Sequence, residues 1–191
     1  MPPLKACGRT ALATRDMRFS LIDRIIELRP GEKITTSKCV ALSEDYLQDH
    51  FPKFPVLPGV LMLEAMTESS AWLVRVSEDF AHSMVVLAEA RNIKYADFVQ
   101  PGKSLMIEAE LLKQDQRQTK LKVWGTVDGR VAVSARLVLE RYNLVEENPL
   151  WADTDRSIVR QMRQRLAILD RTASQASDQG DGNRESGEPR G

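Results

Sequence analysis

Cysteine and histidine are both scarce: the 191-residue chain holds two of each. Cys7 and Cys39 lack CxxC spacing, and a chain this long can fold without disulfide staples, so the pattern fits a reducing compartment and the expected location is cytoplasmic. His50 and His82 belong to no His-x-x-x-His or Glu-x-x-His pair, so no metal site is expected. An excess of either charge is missing too. Lys plus Arg number 27 and Asp plus Glu number 27, which excludes a global field that would draw in nucleic acid or an anionic membrane. No apolar run approaches the ~20 residues of a membrane span, and MPPLKACGRTALATRD at the start lacks the apolar core of a signal peptide, so neither insertion nor export is expected. A G-x-S-x-G elbow is also absent, which argues against a serine hydrolase.

What is present is one core's worth of patterned segments. Leu105, Ile107, Ala109 and Leu111 alternate with polar neighbours, as do Leu121, Val123, Gly125 and Val127, and then Val131, Val133, Ala135, Leu137 and Leu139. Asp128-Gly129 predicts a tight hairpin between the last two sets, and Pro30-Gly31 a turn between SLIDRIIEL and ITTSKCVAL. An antiparallel sheet with one buried face follows. GVLMLEAMTESSAWLVRV, from Gly59 to Val76, breaks the pattern: it is rich in helix formers and apolar around most of its circumference. A helix of that kind is expected to be enclosed by the sheet, with Pro58 at its first position and Leu57 extended before the proline. The expected organisation is an N-terminal extension over 1–16, the main domain over 17–144, a C-terminal amphipathic helix over 145–172 and a disordered tail over 173–191. Ile158, Met162, Leu166 and Leu169 form the stripe of that second helix, which a capping Asp or Thr would start and which would pack on the sheet or on a neighbouring subunit.

One stretch carries chemistry. In DHFPKFPVLPGVLMLEAM, Asp49 to Met66, a single glutamate sits inside the apolar helix. Burying Glu64 among Leu61, Leu63, Ala65 and Met66 would cost several kcal/mol, in rough terms, unless it were paired or protonated. Such a carboxyl is a structural hydrogen-bond anchor, a partly exposed position on an oligomer interface, or a catalytic acid. His50, at the mouth of the proline-spaced loop, is its natural companion, while His82 reads as a plain loop residue.

These residues resemble the 3-hydroxyacyl-acyl carrier protein dehydratases of the FabZ type, whose pattern is approximately G-H-F-P-x-x-P-x-x-P-G-V-L-x-x-E-A-x-x-Q. His50, Phe51, Pro52, Pro55, Pro58, Gly59, Val60, Leu61, Glu64 and Ala65 match it at the same spacing. LIDRIIELRPGEKI, IKYADFVQPGKSLMIEAELL and GTVDGRVAVSARL extend the likeness over roughly Phe19 to Leu139. The resemblance implies an α+β hotdog fold, an antiparallel sheet wrapped around one long helix, with the C-terminal helix as an addition. It implies dehydration of a (3R)-3-hydroxyacyl chain to the trans-2-enoyl thioester, with His50 as base, Glu64 as acid, and the N–H groups of Gly59 and Val60, beside Phe51 and Pro58, holding the thioester oxygen. Phe54, Leu57, Leu61 and Met62 would line part of an acyl tunnel. No cofactor is implied beyond the phosphopantetheine arm of the acyl carrier protein, which would be met by Lys53, Arg91, Lys94 and Lys103. His50 and Glu64 would face each other across a homodimer, with a trimer of dimers the common assembly.

Three positions depart from the pattern: Asp49 and Lys53 replace glycines, and Glu68 replaces the glutamine. Asp49 would favour the cation of His50. Glu68 lies one turn from Glu64, where like charges repel; it either helps keep Glu64 protonated, or points to solvent or pairs with Arg75 or Lys94. Two other functions remain in view, a hotdog acyl thioesterase and a catalytically silent subunit that binds acyl chains or their carrier.

Overall fold

The computed structural model describes residues 20–49 and 53–170, with Asp49 described in its backbone only. The three alternating segments become β4 (Ser104–Gln114), β5 (Gln118–Val127) and β6 (Arg130–Tyr142). They join β1 (Arg24–Arg29), β2 (Lys33–Cys39) and β3 (Met84–Tyr95) in one sheet of order β1-β2-β4-β5-β6-β3, antiparallel at every pairing. Leu105, Ile107, Ala109, Leu121, Val123 and Leu137 are buried on its inner face. Gly125 shares that face, and a side chain there would begin 2.8 Å from Leu105 and 2.9 Å from Val133, so the glycine makes room for both. The β5–β6 turn has positive φ at Asp128 and Gly129, as a two-residue hairpin requires.

A register shift between Gly125 and Thr126 corrects the reading of β6 at one end: Val131 is half exposed and Ala132 is buried instead. A bulge reverses which side chain faces inward, and Ala132 uses its carbonyl to accept from the Ala96 and Asp97 amides rather than from β5.

After the short α1 (Tyr46–Asp49), α2 (Gly59–Ser77) lies in the concavity of the sheet, with Met62, Ala65, Met66, Trp72, Leu73 and Val74 buried. Its buried serines are satisfied locally: Ser69 Oγ and Ser70 Oγ donate to the Ala65 and Met66 carbonyls at 2.7 Å each. Pro58 is the residue before the helix rather than its first, and its carbonyl accepts from the Leu61 and Met62 amides. No helix among the described residues is long and apolar enough to cross a membrane.

Two single-turn 3-10 segments, Leu144–Glu146 and Pro149–Trp151, lead into α3 (Ala152–Leu169), so the second helix begins later than the 145–172 expected. Its stripe packs on the chain's own core, with Met162 and Leu169 buried and Ile158 and Leu166 against them. No side chain caps its start; the expectation of a capping Asp or Thr fails because the helix already begins at Ala152, after Trp151, which puts Asp153 and Thr154 inside it and leaves Asp155 for other partners. Its carboxylate accepts from the Leu144 and Val145 amides at 3.0 and 2.9 Å and from the Ser83 hydroxyl. Burial alone would push the Asp155 carboxyl up, but the Ser83, Val145 and Leu144 bonds outweigh it and hold the pKa below the usual value. The extension of 1–16 and the tail of 173–191 lie outside the described residues.

Candidate active site

The proline-spaced loop is held where it meets α2. The Leu57 amide donates to the Val99 carbonyl at 2.8 Å, and Phe54 meets Phe98 edge to face at 5.4 Å between ring centres. This ties the loop to the β3–β4 connection. The first amides of α2, those of Gly59 and Val60, have no acceptor within the helix by geometry alone and lie at its positive end. A side chain at Gly59 would begin 3.1 Å from the Tyr95 ring, which would have to give by a few tenths of an ångström, so glycine keeps the helix start open there. Val60 beside it is 70% exposed. His50, Phe51 and Pro52 lie outside the described residues, as does the Asp49 side chain.

Glu64 is exposed in the single chain, which corrects the expectation that its own helix surroundings bury it. The helix is apolar around most of its circumference, but the sheet covers one side, and Glu64 sits on the other with Val60. Beside it a cavity of about 420 Å³ runs along α2, within the ~300–1,000 Å³ of typical ligand pockets. Glu64, Thr67, Glu68, Ala71, Trp72 and Arg75 form its α2 wall. Leu21, Ser83, Met84 and Val85, with Ile158, Gln161 and Met162 of α3, complete it.

The tunnel residues named from the resemblance do not line this cavity. Leu57 and Met62 are buried in the core, Leu61 packs against it half-buried, and Phe54 is 46% exposed against Phe98. They bracket the helix start instead. Apart from Glu64 and Glu68, the cavity-lining residues went unpredicted because α3 and β3 come from distant sequence; only the i, i+3, i+4 repeat from Glu64 to Arg75 was available as a signal.

Glu68 neither points to solvent nor pairs with Arg75 or Lys94. Its carboxylate accepts from Ser20 Oγ at 2.6 Å and from the Leu21 amide at 2.7 Å, fastening the chain ahead of β1 onto α2. Arg75 donates to the Ser83 carbonyl at 2.9 Å, and burial pushes its pKa down to about 10, which leaves it charged at neutral pH. Of the basic residues expected to meet a carrier, Arg91 is paired with Glu89 and Lys103 with Asp128, while Lys94 borders a separate cavity with Lys122 and Trp124 on the sheet. His82 is more than a loop residue: its Nδ1 lies 3.1 Å from Glu78, which also pairs with the buried Arg141 and accepts from Gln114. The Glu78–His82 spacing of four was the missed signal.

With this geometry described, the comparisons with known proteins give the class. A family model described as the FabA-like domain matches residues 12–136. Six antiparallel strands around one long helix also match solved hotdog structures: the dehydratase heterocomplex ApeI:P from Xenorhabdus doucetiae, at a TM-score of 0.56 and 22% identity over 70% of this chain and 90% of that one, and smu.793 from Streptococcus mutans bound to acetyl CoA, at 0.52 and 15% over 68% and 95%. The fold is therefore the hotdog. Among curated relatives, the FabZ 3-hydroxyacyl-[acyl-carrier-protein] dehydratase of Ruminiclostridium cellulolyticum is 40% identical over 119 residues, covering 62% of this chain and 84% of the relative. That of Levilactobacillus brevis is 37% identical over 116 residues, covering 61% and 78%. The chain belongs to the FabA-like family, on its FabZ dehydratase branch.

Proposed function

We propose that this protein dehydrates (3R)-3-hydroxyacyl-acyl carrier protein to the trans-2-enoyl thioester in fatty acid synthesis. The observation that carries the reading is Glu64: one carboxyl, at the spacing of the dehydratase motif, stands at the rim of a largely apolar cavity on the uncovered face of α2. His50 takes the proton from the carbon beside the thioester carbonyl, and Glu64 gives a proton to the departing 3-hydroxyl, which leaves as water. Negative charge gathers on the thioester oxygen, where the Gly59 and Val60 amides at the positive end of α2 receive it. No cofactor enters these steps.

The exposure of Glu64 and of Val60 supports a homodimer. A second subunit laid over this face would exclude water from the carboxyl and enclose the cavity beside it. Each Glu64 would then serve the partner's histidine. The substrate reaches the site on the phosphopantetheine arm of the carrier.

The test is direct: supply a 3-hydroxyacyl-acyl carrier protein and identify the product by mass. Enoyl thioester, with His50→Ala and Glu64→Gln each lowering the rate about 10²–10⁴-fold, is the expected result. Free acid would point to a thioesterase, and a stable complex without turnover to a silent binding subunit; either overturns the proposal.

A further inference from the structure

The cavity beside Glu64 is a slot with a direction. Its α2 wall uses positions 64, 67, 68, 71, 72 and 75, spaced by three and four so that all share one face. From position 64 to position 75 that face is about 16 Å long, at the helical rise of ~1.5 Å per residue. One end is marked by the candidate acid. The other lies toward the connection from Glu78 to Ser83, just past the end of α2.

α3 is fixed to that connection at two points. Asp155 accepts from the Ser83 hydroxyl, and Arg163 donates to Asp79, to its carbonyl at 2.7 Å and its carboxylate at 2.9 Å, while its guanidinium stacks 4.6 Å from the centre of the Phe80 ring. Ile158 and Met162 fall between these anchors in sequence and enter the slot wall. They therefore stand at the end away from Glu64.

The polar groups along the slot are largely spent on the protein itself. Thr67 Oγ1 donates to the Leu63 carbonyl at 3.0 Å, Glu68 holds Ser20 and Leu21, and Arg75 holds the Ser83 carbonyl. Besides Glu64 itself, the polar exceptions are Gln161 and the indole of Trp72, whose buried Nε1 has no partner among the described residues. Leu21, Ala71, Met84, Val85, Ile158 and Met162 supply hydrocarbon. A wall of this kind accommodates an alkyl chain.

We propose that α3 is the end wall of the acyl site: Met162 and Ile158 stop the hydrocarbon tail and so set the longest chain whose thioester can still reach Glu64. The proposal rests on the dehydratase reading for the identity of the ligand, but its geometry can be tested apart from turnover. The chain-length specificity of this protein would then be held outside the segment that matches the family model, which ends at residue 136.

The experiment compares wild type, Met162→Ala, Ile158→Ala and Met162→Trp on a series of 3-hydroxyacyl-acyl carrier proteins lengthened in two-carbon steps. Shortening either side chain should raise kcat/KM for chains beyond the wild-type optimum relative to short ones, by roughly fourfold per methylene admitted, the factor equivalent to about 0.8 kcal/mol. Met162→Trp should move the optimum the other way. In parallel, unreactive acyl-pantetheine thioethers of the same lengths are titrated by calorimetry. A shifted length preference in that titration supports the slot even if wild type turns nothing over, in which case only the dehydratase reading falls. Should Met162→Trp fail to fold, the two alanine variants decide. Length profiles that coincide with wild type in both alanine variants, by turnover and by titration, overturn the proposal.

Discussion

The two long helices are nearly equal in length, 19 residues in α2 and 18 in α3, yet they are held by different physics. α2 is held by burial: nine of its residues are enclosed, and even its serines close their bonds onto the helix itself. α3 buries three and is otherwise polar; it is held by a narrow stripe and a few directed bonds, chiefly those of Asp155. Non-directional burial ties α2 to the whole sheet, so it stands or falls with the fold. A helix held by a few specific ties can loosen alone, and the cavity between the two inherits one rigid wall and one adjustable wall.

This contrast is broken most severely from the α2 side. Leu73 is fully buried, and Leu73→Ala is expected to cost about 2–5 kcal/mol, read as a lower denaturant midpoint shared by every spectroscopic probe. Asp155→Ala is expected to cost less, about 1–3 kcal/mol, because it leaves the buried Ser83 hydroxyl and two amides without their acceptor. Its signature is local: hydrogen exchange quickens in α3 and the 144–145 amides before the sheet is affected.

The same carboxylate sharpens the comparison through pH. Its pKa in the folded chain lies below the ordinary value, so its contribution is fully present above the unfolded value of about 3.9 and is lost as pH falls through the folded one. Acidification below about pH 4 should therefore loosen α3 in wild type, whereas Asp155→Asn should abolish that dependence. The smallest effect is expected at Arg163→Ala. Its ion-pair partner Asp79 is 88% exposed in its side chain and the Phe80 contact is a single stacking, so the loss is about 0.5–1 kcal/mol and shrinks with added salt.

How much of this was legible in the sequence follows the same division. Strands β4 and β5 could be read because alternation is local and each inward residue meets a common core. The bulge that turns Val131 outward could not, since it depends on where the Ala96 and Asp97 amides arrive. The identity of α2 as the central helix was readable from its apolarity, but the exposure of Glu64 was not: apolar composition reports that a helix is covered, not which face is left open. Glu68 was read against its neighbours on the helix, whereas its partners are Ser20 and Leu21, far away in sequence. The stripe of α3 was visible, and its contact with the slot was not, because position in space is set by Asp155 and Arg163 rather than by periodicity.

The claim that joins these observations is that Glu64, exposed in one chain, completes the site of a second. Subunit complementation tests it most directly. His50→Ala and Glu64→Gln proteins are assayed alone on a 3-hydroxyacyl-acyl carrier protein, then unfolded together, refolded and assayed again, with mixed dimers confirmed by mass. Each variant should be nearly inactive alone, and the mixture should recover roughly a quarter of wild-type activity, since half of the dimers are mixed and each of those holds one intact pair. Mixed dimers that form but recover no activity, or single variants that keep the wild-type rate, would contradict the account.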